Sequence, residues 1–211
     1  MMKNDAINLV FVIDDDDAFR RSLAFLLEDL AWQVEAFASA TEFLEAHPEP
    51  LPEAGCILLD IRMPMMSGME LQLKLNDLGW TTPIIFITGH GDMEMAVQAM
   101  KLGAYGFLAK PFKDQVLLDE VAAAVRFAQQ EKENILRQKE ATQILARLSP
   151  RESEVANLLA RGQSNKVIAQ QLDISEKTVH IHRQKIMEKA EISSAAELTQ
   201  LMLRADPRSL D

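Results

Sequence analysis

The sequence predicts an α/β unit on a doubly wound, five-stranded parallel sheet, joined by a long linker helix to an all-α unit of four short helices. Three observations predict it. Strand-like apolar runs and amphipathic helical runs alternate five times over residues 1–127, the order expected of parallel strands with right-handed helical crossovers. Several of the strand runs, such as Cys56-Ile57-Leu58-Leu59, show no polar alternation, as strands buried on both faces do. From residue 114 to 148 neither proline nor glycine occurs, and beyond that helix-capping serines recur.

Taken in order, Asn8 to Ile13 is a first buried strand running into Asp14-Asp15-Asp16-Asp17. Phe19, Leu23, Leu26, Leu27 and Leu30 then repeat at helical spacing. Trp32 to Phe37 alternates as an edge strand does. Ser39-Ala40-Thr41-Glu42 is a capping-box pattern for a short helix that stops before Pro48. The third strand ends in Asp60, ahead of Pro64, and Ser67-Gly68-Met69-Glu70 opens the next helix. Pro83 to Thr88 is the fourth strand, Asp92 opens a helix closed by Gly103, and Tyr105 to Lys110 is the fifth strand. A fifth helix starts near Lys113.

The length of 211 residues suits two small domains. The boundaries read as 1–127, a helical linker 128–145, and 146–211. No stretch is apolar and long enough to span a bilayer, so no membrane partner is expected. The single cysteine, Cys56, lies in a buried strand and reads as a small core residue, which fits a reducing cytoplasm. The net charge of −10 is unevenly shared. Residues 1–128 carry 20 acidic against 9 basic side chains, whereas residues 148–211 carry 9 of each. Two different surfaces are implied, and overall acidity does not exclude a local nucleic-acid face on the second.

What ends the strands carries the chemistry. The first ends in Asp14 and Asp15, the third in Asp60, the fourth in Thr88 and the fifth in Lys110. In a doubly wound sheet these termini share one carboxyl edge, where the ligand crevice lies. Carboxylates ~4 Å apart at an effective dielectric of ~20 repel by about 4 kcal/mol per pair. A hard divalent ion with oxygen ligands, such as Mg2+, and the ammonium of Lys110 would hold them together. A carboxylate, a metal, an ammonium and a hydroxyl converging on one point suit phosphoryl transfer to the carboxylate. The acidic run alone would equally suit a solvated helix N-terminus.

The motifs Ile13-Asp14-Asp15-Asp16, Leu59-Asp60-Ile61-Arg62-Met63-Pro64 with Ser67-Gly68, Ile87-Thr88-Gly89-His90 and Lys110-Pro111-Phe112 resemble the receiver domain of bacterial two-component response regulators. The resemblance covers about residues 7–127 and implies the flavodoxin-like receiver fold. It implies that Asp60 accepts a phosphoryl group from a sensor histidine kinase. It further implies that Asp15 and Asp60 bind Mg2+ directly, that Asp14 acts through water, and that the backbone carbonyl of Arg62 is another ligand. Thr88 and Lys110 would bind phosphoryl oxygens, and Thr88 with Phe107 would form the switch pair. Phe107 also reads as an ordinary core aromatic. Arg62 and His90 take positions that flank the phosphoryl group in that family, and the Lys110–Pro111 bond is expected to be cis. Phosphorylation would make the face of the fourth helix and fifth strand competent to form a homodimer.

In the linker helix Leu117, Val121, Ala124 and Ala128 form one stripe, which Ile135, Thr142 and Leu145 extend at near-heptad spacing. Glu131 and Gln138 break it. Either a helix packed on the first unit and then solvated, or a weak two-chain coiled coil, satisfies that pattern.

In the last part, Ser149-Pro150-Arg151-Glu152 is a dense helix start, Ser164 and Ser175 open two more helices around a tight turn at Asp173-Ile174, and Ser193 or Ser194 opens a fourth. Two short helices joined this way read as helix-turn-helix. Val179, His182 or Arg183, and Ile186 face the core at helical spacing. The opposite face shows Lys177, His180, Ile181, Gln184 and Lys185, which suits a major groove. Leu148-Ser149-Pro150-Arg151-Glu152, Gly162 with Asn165 to Ala169, and Ile174-Ser175 with Thr178 to His182 resemble the LuxR/NarL/FixJ output domain over about 146–205. The resemblance implies that His180, Ile181 and Gln184 read bases of double-stranded promoter DNA. It implies phosphate contacts for Lys166, Lys177, Thr178, His182, Arg183 and Lys185. Some relatives place lysine where His180 and Gln184 stand; glutamine can read adenine bidentately.

The whole is expected to be a phosphorylation-regulated transcription factor and not an enzyme. One alternative is a metal-dependent phosphohydrolase of the haloacid dehalogenase type, which usually needs a second aspartate two residues beyond the nucleophile. Arg62 stands there. The other is a receiver whose output domain binds protein.

Overall fold

The computed structural model describes residues 8–89 and 93–209, so Asp92 and His90 lie outside the described residues. The chain divides into two compact units, 1–132 and 133–211. The first runs β1 (Leu9–Ile13), α1 (Asp17–Glu28), β2 (Gln33–Phe37), α2 (Ala40–Ala46), β3 (Ala54–Asp60), α3 (Gly68–Asp77), β4 (Ile84–Thr88), α4 (Met93–Lys101), β5 (Gly106–Ala109) and the start of α5 (Asp114–Leu145). The second holds the end of α5, then α6 (Pro150–Ala160), α7 (Asn165–Leu172), α8 (Glu176–Ala190) and α9 (Ala195–Ala205).

The sheet order is β2-β1-β3-β4-β5, with every pair parallel. Side chains alternate between its faces, because the strand period is two. Phe11, Ile13, Ile57, Leu59 and Phe86 pack toward one face with Phe43 of α2 and Leu71 and Leu75 of α3. Val10, Val12, Cys56, Leu58, Ile85 and Ile87 pack toward the other with Leu23 and Leu27 of α1 and Leu117, Val121 and Ala124 of α5. β1, β3 and β4 are buried along their whole length, as their unalternating apolar runs require. Cys56 is fully buried, and burial pushes its thiol pKa up, so it is packing material.

Three local details differ from the sequence pattern. Leu30 falls beyond α1 and is 53% exposed, because the chain turns at Ala31 (φ 63°) to deliver Trp32 toward β2. Before α2, Ser39 Oγ accepts from Glu42 N, but the Glu42 carboxylate reaches back to Ala38 N instead of Ser39 N. β5 is short, so Tyr105 and Lys110 flank it.

In the second unit, Val155, Leu159, Ile168, Val179, Ile186, Leu198 and Met202 form a single core. Asp173 takes the left-handed conformation (φ 52°) in the turn between α7 and α8. The end of α5 also belongs here. Ala141 is buried with Ala190 and Leu201, beside Ile144 and Leu145, and Gln138 Nε2 donates to Ala205 O at 3.1 Å. The last turns of the expected linker helix are therefore packed against α8 and α9 rather than solvated, while Ile135 and Thr142 are exposed.

Glu152 ties this unit together. It completes the capping box with Ser149 at the start of α6 and accepts from Lys189 Nζ of α8 at 2.6 Å. The Lys189 hydrogen bond and then the Ser149 backbone N–H bring its pKa down to about 2. An unfolded glutamate titrates near about 4.3, so this stabilisation is complete above that value and is lost as pH falls toward about 2. Glu152→Gln is expected to cost the second unit about 1–2 kcal/mol at neutral pH and to flatten the acid limb of its stability curve. Urea unfolding at pH 7 and at pH 3 checks both; equal losses at the two values would contradict the assignment. Among the described residues, no helix is long and apolar enough to cross a membrane.

Candidate functional site

At the carboxyl edge of the sheet the acidic run divides its labour. Asp16 caps α1, accepting from Ala18 N and Phe19 N at 2.9 and 3.1 Å, and Asp17 pairs with Arg20 and Arg21. Asp15 is exposed. Asp14 is 2% exposed and turns inward; its Oδ1 accepts from Asp16 N at 2.8 Å, and its backbone carbonyl accepts from Arg20 Nη1 at 2.7 Å. Asp16 and Asp17 thus serve the start of α1, while the Asp14 side chain is directed to Lys110.

Lys110 stands just past β5 and spans the crevice. Its Nζ donates to Asp14 Oδ2 at 2.9 Å and to Asp60 Oδ1 at 3.2 Å. The other oxygen of Asp60 accepts from Arg62 N at 2.7 Å. Asp60 is 9% exposed. Burial first, and then the charge of Asp14, raise its pKa against the opposing pull of Lys110 and the Arg62 N–H. Burial works against the Lys110 ammonium, but its bonds to Asp14 and Asp60 outweigh that and raise its pKa too. Thr88 is buried at the end of β4, the strand beside Asp60, and its carbonyl accepts from Lys110 N at 2.7 Å. The Lys110–Pro111 bond is cis.

α3 starts directly on this site. Gly68 N donates to Ile61 O at 3.0 Å, and a Cβ on Gly68 would lie 2.2 Å from Asp60 O. Only glycine lets the helix approach the end of β3 this closely. Phe107 is 37% exposed, opposite Phe86 in the β4–β5 register. It is not a core residue here; Leu108, its neighbour on the opposite face, is.

The trio Asp14, Asp60 and Lys110 carries one net negative charge, and its free electron pairs belong to hard oxygen atoms. That chemistry fits a hard divalent cation such as Mg2+. Among the described residues, no three His, Cys, Asp or Glu side chains are gathered as a metal-holding group. The structure brings Asp14 and Asp60 together through Lys110 and leaves Asp15 facing solvent.

In the second unit, Ser175 caps α8 by accepting from Thr178 N at 3.0 Å. Val179 and Ile186 face the core. His180, Ile181, Gln184, Lys177 and Lys185 are exposed along α8, and Lys166 is exposed on α7. Thr178, His182 and Arg183 are half-buried. Arg183 Nη1 donates to Asn165 Oδ1 at 2.8 Å, pinning α8 to the start of α7. His182 Nδ1 is buried without a hydrogen-bond partner among the described residues. These two sit on the shoulder of the exposed face rather than at its centre.

The family model of the response regulator receiver domain matches residues 10–122, and that of the luxR family of bacterial regulatory proteins matches 146–202. The chain belongs to the LuxR-type response regulators. Among its relatives, the transcriptional regulatory protein FixJ of Azorhizobium caulinodans is 46% identical over 93% of this chain and 92% of its own. The response regulator protein TodT of Pseudomonas putida is 41% identical over 95% of this chain and 88% of its own. Among solved structures, the response regulator StyR superposes with a TM-score of 0.77 at 43% identity, covering 92% of this chain and 96% of that one. Full-length FixJ from B. japonicum gives 0.60 at 40% identity, covering 94% and 97%.

This response regulator is accordingly a phosphorylation-regulated, DNA-binding transcription regulator, and its family is not one of enzymes. The phosphohydrolase alternative and the protein-binding output alternative both fall with that membership. Receiver domains generally bind Mg2+ at the phosphorylation site, and the two domains imply a kinase phosphodonor and DNA as partners. Sequence reasoning counted Phe19 only as part of an apolar helix stripe. Its ring in fact lies against Lys110, with Nζ 3.8 Å from the centroid. No local spacing signals that pair, because the two residues meet only through the tertiary fold. The Arg20 bond to Asp14 O, only six residues back along the chain, was missed because that spacing belongs to no helix or strand repeat.

Proposed function

We propose that Asp60 is the residue phosphorylated by a sensor histidine kinase, and that its state decides whether two copies of the chain dimerise on promoter DNA. The observation that carries this reading is the Lys110 ammonium held between the carboxylates of Asp14 and Asp60 at the sheet's carboxyl edge. Asp60 would supply the attacking oxygen. Its bond to phosphorus forms as the N–P bond of a phosphohistidine breaks, and the imidazole leaves with the electron pair and takes up a proton. Lys110 would turn from Asp60 to a phosphoryl oxygen, and the Thr88 hydroxyl would donate to another. Asp14, Asp15, Asp60 and the backbone carbonyl of Arg62 would hold Mg2+. When bound, that ion supplies the positive charge that offsets the crowded carboxylates and phosphoryl oxygens. As Thr88 is drawn toward the phosphoryl group, Phe107, exposed in the structure described, would turn inward and reshape the face of α4 and β5.

In the second domain, His180, Ile181 and Gln184 would read bases. Lys166, Lys177, Thr178, His182, Arg183 and Lys185 would contact phosphates. A phosphate contact by Arg183 must compete with its bond to Asn165. The domain limits we favour are 1–127, 128–145 and 146–211, with 133–145 packing on the last.

The test is to treat the full chain with acetyl phosphate and Mg2+, map the adduct by mass spectrometry, and follow assembly and DNA binding. One phosphoryl group on Asp60, a shift to dimer in sedimentation, and tighter binding to DNA selected from a random pool are expected. An adduct elsewhere, or none without chelator present, would overturn the acceptor assignment. For the DNA face, Lys185→Ala is expected to weaken binding at every sequence and reduce the salt slope of the affinity by about one unit. An unchanged slope would mean that Lys185 meets no phosphate.

A further inference from the structure

An ammonium has three N–H donors. Two sides of the Lys110 ammonium are taken by Asp14 Oδ2 at 2.9 Å and Asp60 Oδ1 at 3.2 Å. On another side lies the ring of Phe19, its centroid 3.8 Å from Nζ. That ring is held in two ways. Its backbone N–H is fixed by the Asp16 carboxylate at 3.1 Å, in the first turn of α1. Its edge is braced by Phe112, with centroids 6.1 Å apart and planes at 73°.

A lysine side chain is a flexible four-carbon stem, and its charge has no fixed direction of its own. Between two carboxylates alone it can slide toward either. An aromatic face attracts a cation through the ring quadrupole. An aliphatic side chain of similar bulk would cover the ammonium without giving it a partner. We propose that Phe19 is a positioning residue for phosphoryl transfer. Its ring face steadies the Lys110 ammonium at the point where a phosphoryl oxygen arrives. This rests on the reading of Asp60 as phosphoacceptor and adds a residue to it.

Bulk and ring charge are separable by experiment. In the full chain, Phe19 is replaced by Leu, by Trp, and by mono-, di- and trifluorinated phenylalanines incorporated at this position alone. Fluorine withdraws electron density from the ring face and leaves its shape nearly unchanged. The readout is the rate of Asp60 labelling by acetyl phosphate in Mg2+, across donor concentrations, with thermal unfolding alongside. Phe19→Leu is expected to lower the limiting rate about three- to tenfold, and Phe19→Trp to retain it. The fluorinated series should fall stepwise with fluorine count, with an unfolding midpoint equal to that of the parent. A flat fluorinated series, with the parent labelled on Asp60, would overturn the inference even if Phe19→Leu fails to fold. A parent chain that does not label on Asp60 would overturn the acceptor assignment and the inference with it.

Discussion

Asp60→Asn is expected to leave a folded protein that takes up no phosphoryl group. The substitution keeps the shape of the side chain. A carboxamide oxygen can still accept from Arg62 N or from Lys110, so the end of β3 should hold its place. What disappears is the anionic nucleophile. A neutral amide does not displace an imidazole or acetate from phosphorus at a useful rate, so labelling should fall to background. Stability should not fall in step. Asp60 is buried beside Asp14, and both burial and that neighbour disfavour its charge. Removing the charge relieves this repulsion, so the unfolding midpoint should stay level or rise. Intact mass after acetyl phosphate treatment, paired with a thermal melt, separates the two quantities. A full adduct on the Asn variant would refute the assignment outright.

The second large effect is expected at Gly68. Adding a methyl group places Cβ 2.2 Å from Asp60 O, 3.0 Å from Leu59 Cγ and 3.1 Å from Asp60 C. The nearest of these is backbone and cannot rotate away. Either α3 withdraws or the last residue of β3 moves. Overpacking of this kind costs typically about 1–3 kcal/mol, and here the displaced atoms are the backbone of Asp60. Gly68→Ala should therefore lower the unfolding midpoint by several degrees and slow Asp60 labelling together. Gly106→Ala is the comparison, because among the described residues its Cβ would meet only Glu120 Oε2, at 3.6 Å. Equal melting behaviour of the two variants would show that the close approach at Gly68 is relaxed without cost.

The strand ends were legible because the chemistry changes abruptly there. Apolar runs finish in Asp14, Asp60 and Thr88, and a lysine follows the fifth, so strand order alone gathers them. Capping was legible for similar reasons, since Ser67 with Glu70 and Ser149 with Glu152 are local pairs. What the chain pattern hid are relations set by three dimensions. Phe107 and Leu108 are both apolar and adjacent, and only the covering helices decide that Leu108 is inside and Phe107 outside. His182 and Arg183 likewise compete for one inward position on α8. The structure tucks in a nitrogen of the first and ties the second to Asn165. Asp15 and Asp14 are neighbours with the same side chain, yet one is solvated and the other is buried under Lys110.

Ala141 lies sealed against Ala190 and Leu201. A fragment begun at 146 to isolate the DNA-binding part would strip off this covering turn and open an apolar seam on α8 and α9. A cut near 133 keeps the seam shut, so the practical border for expressing that part alone lies 16 residues upstream of Ser149, which caps α6.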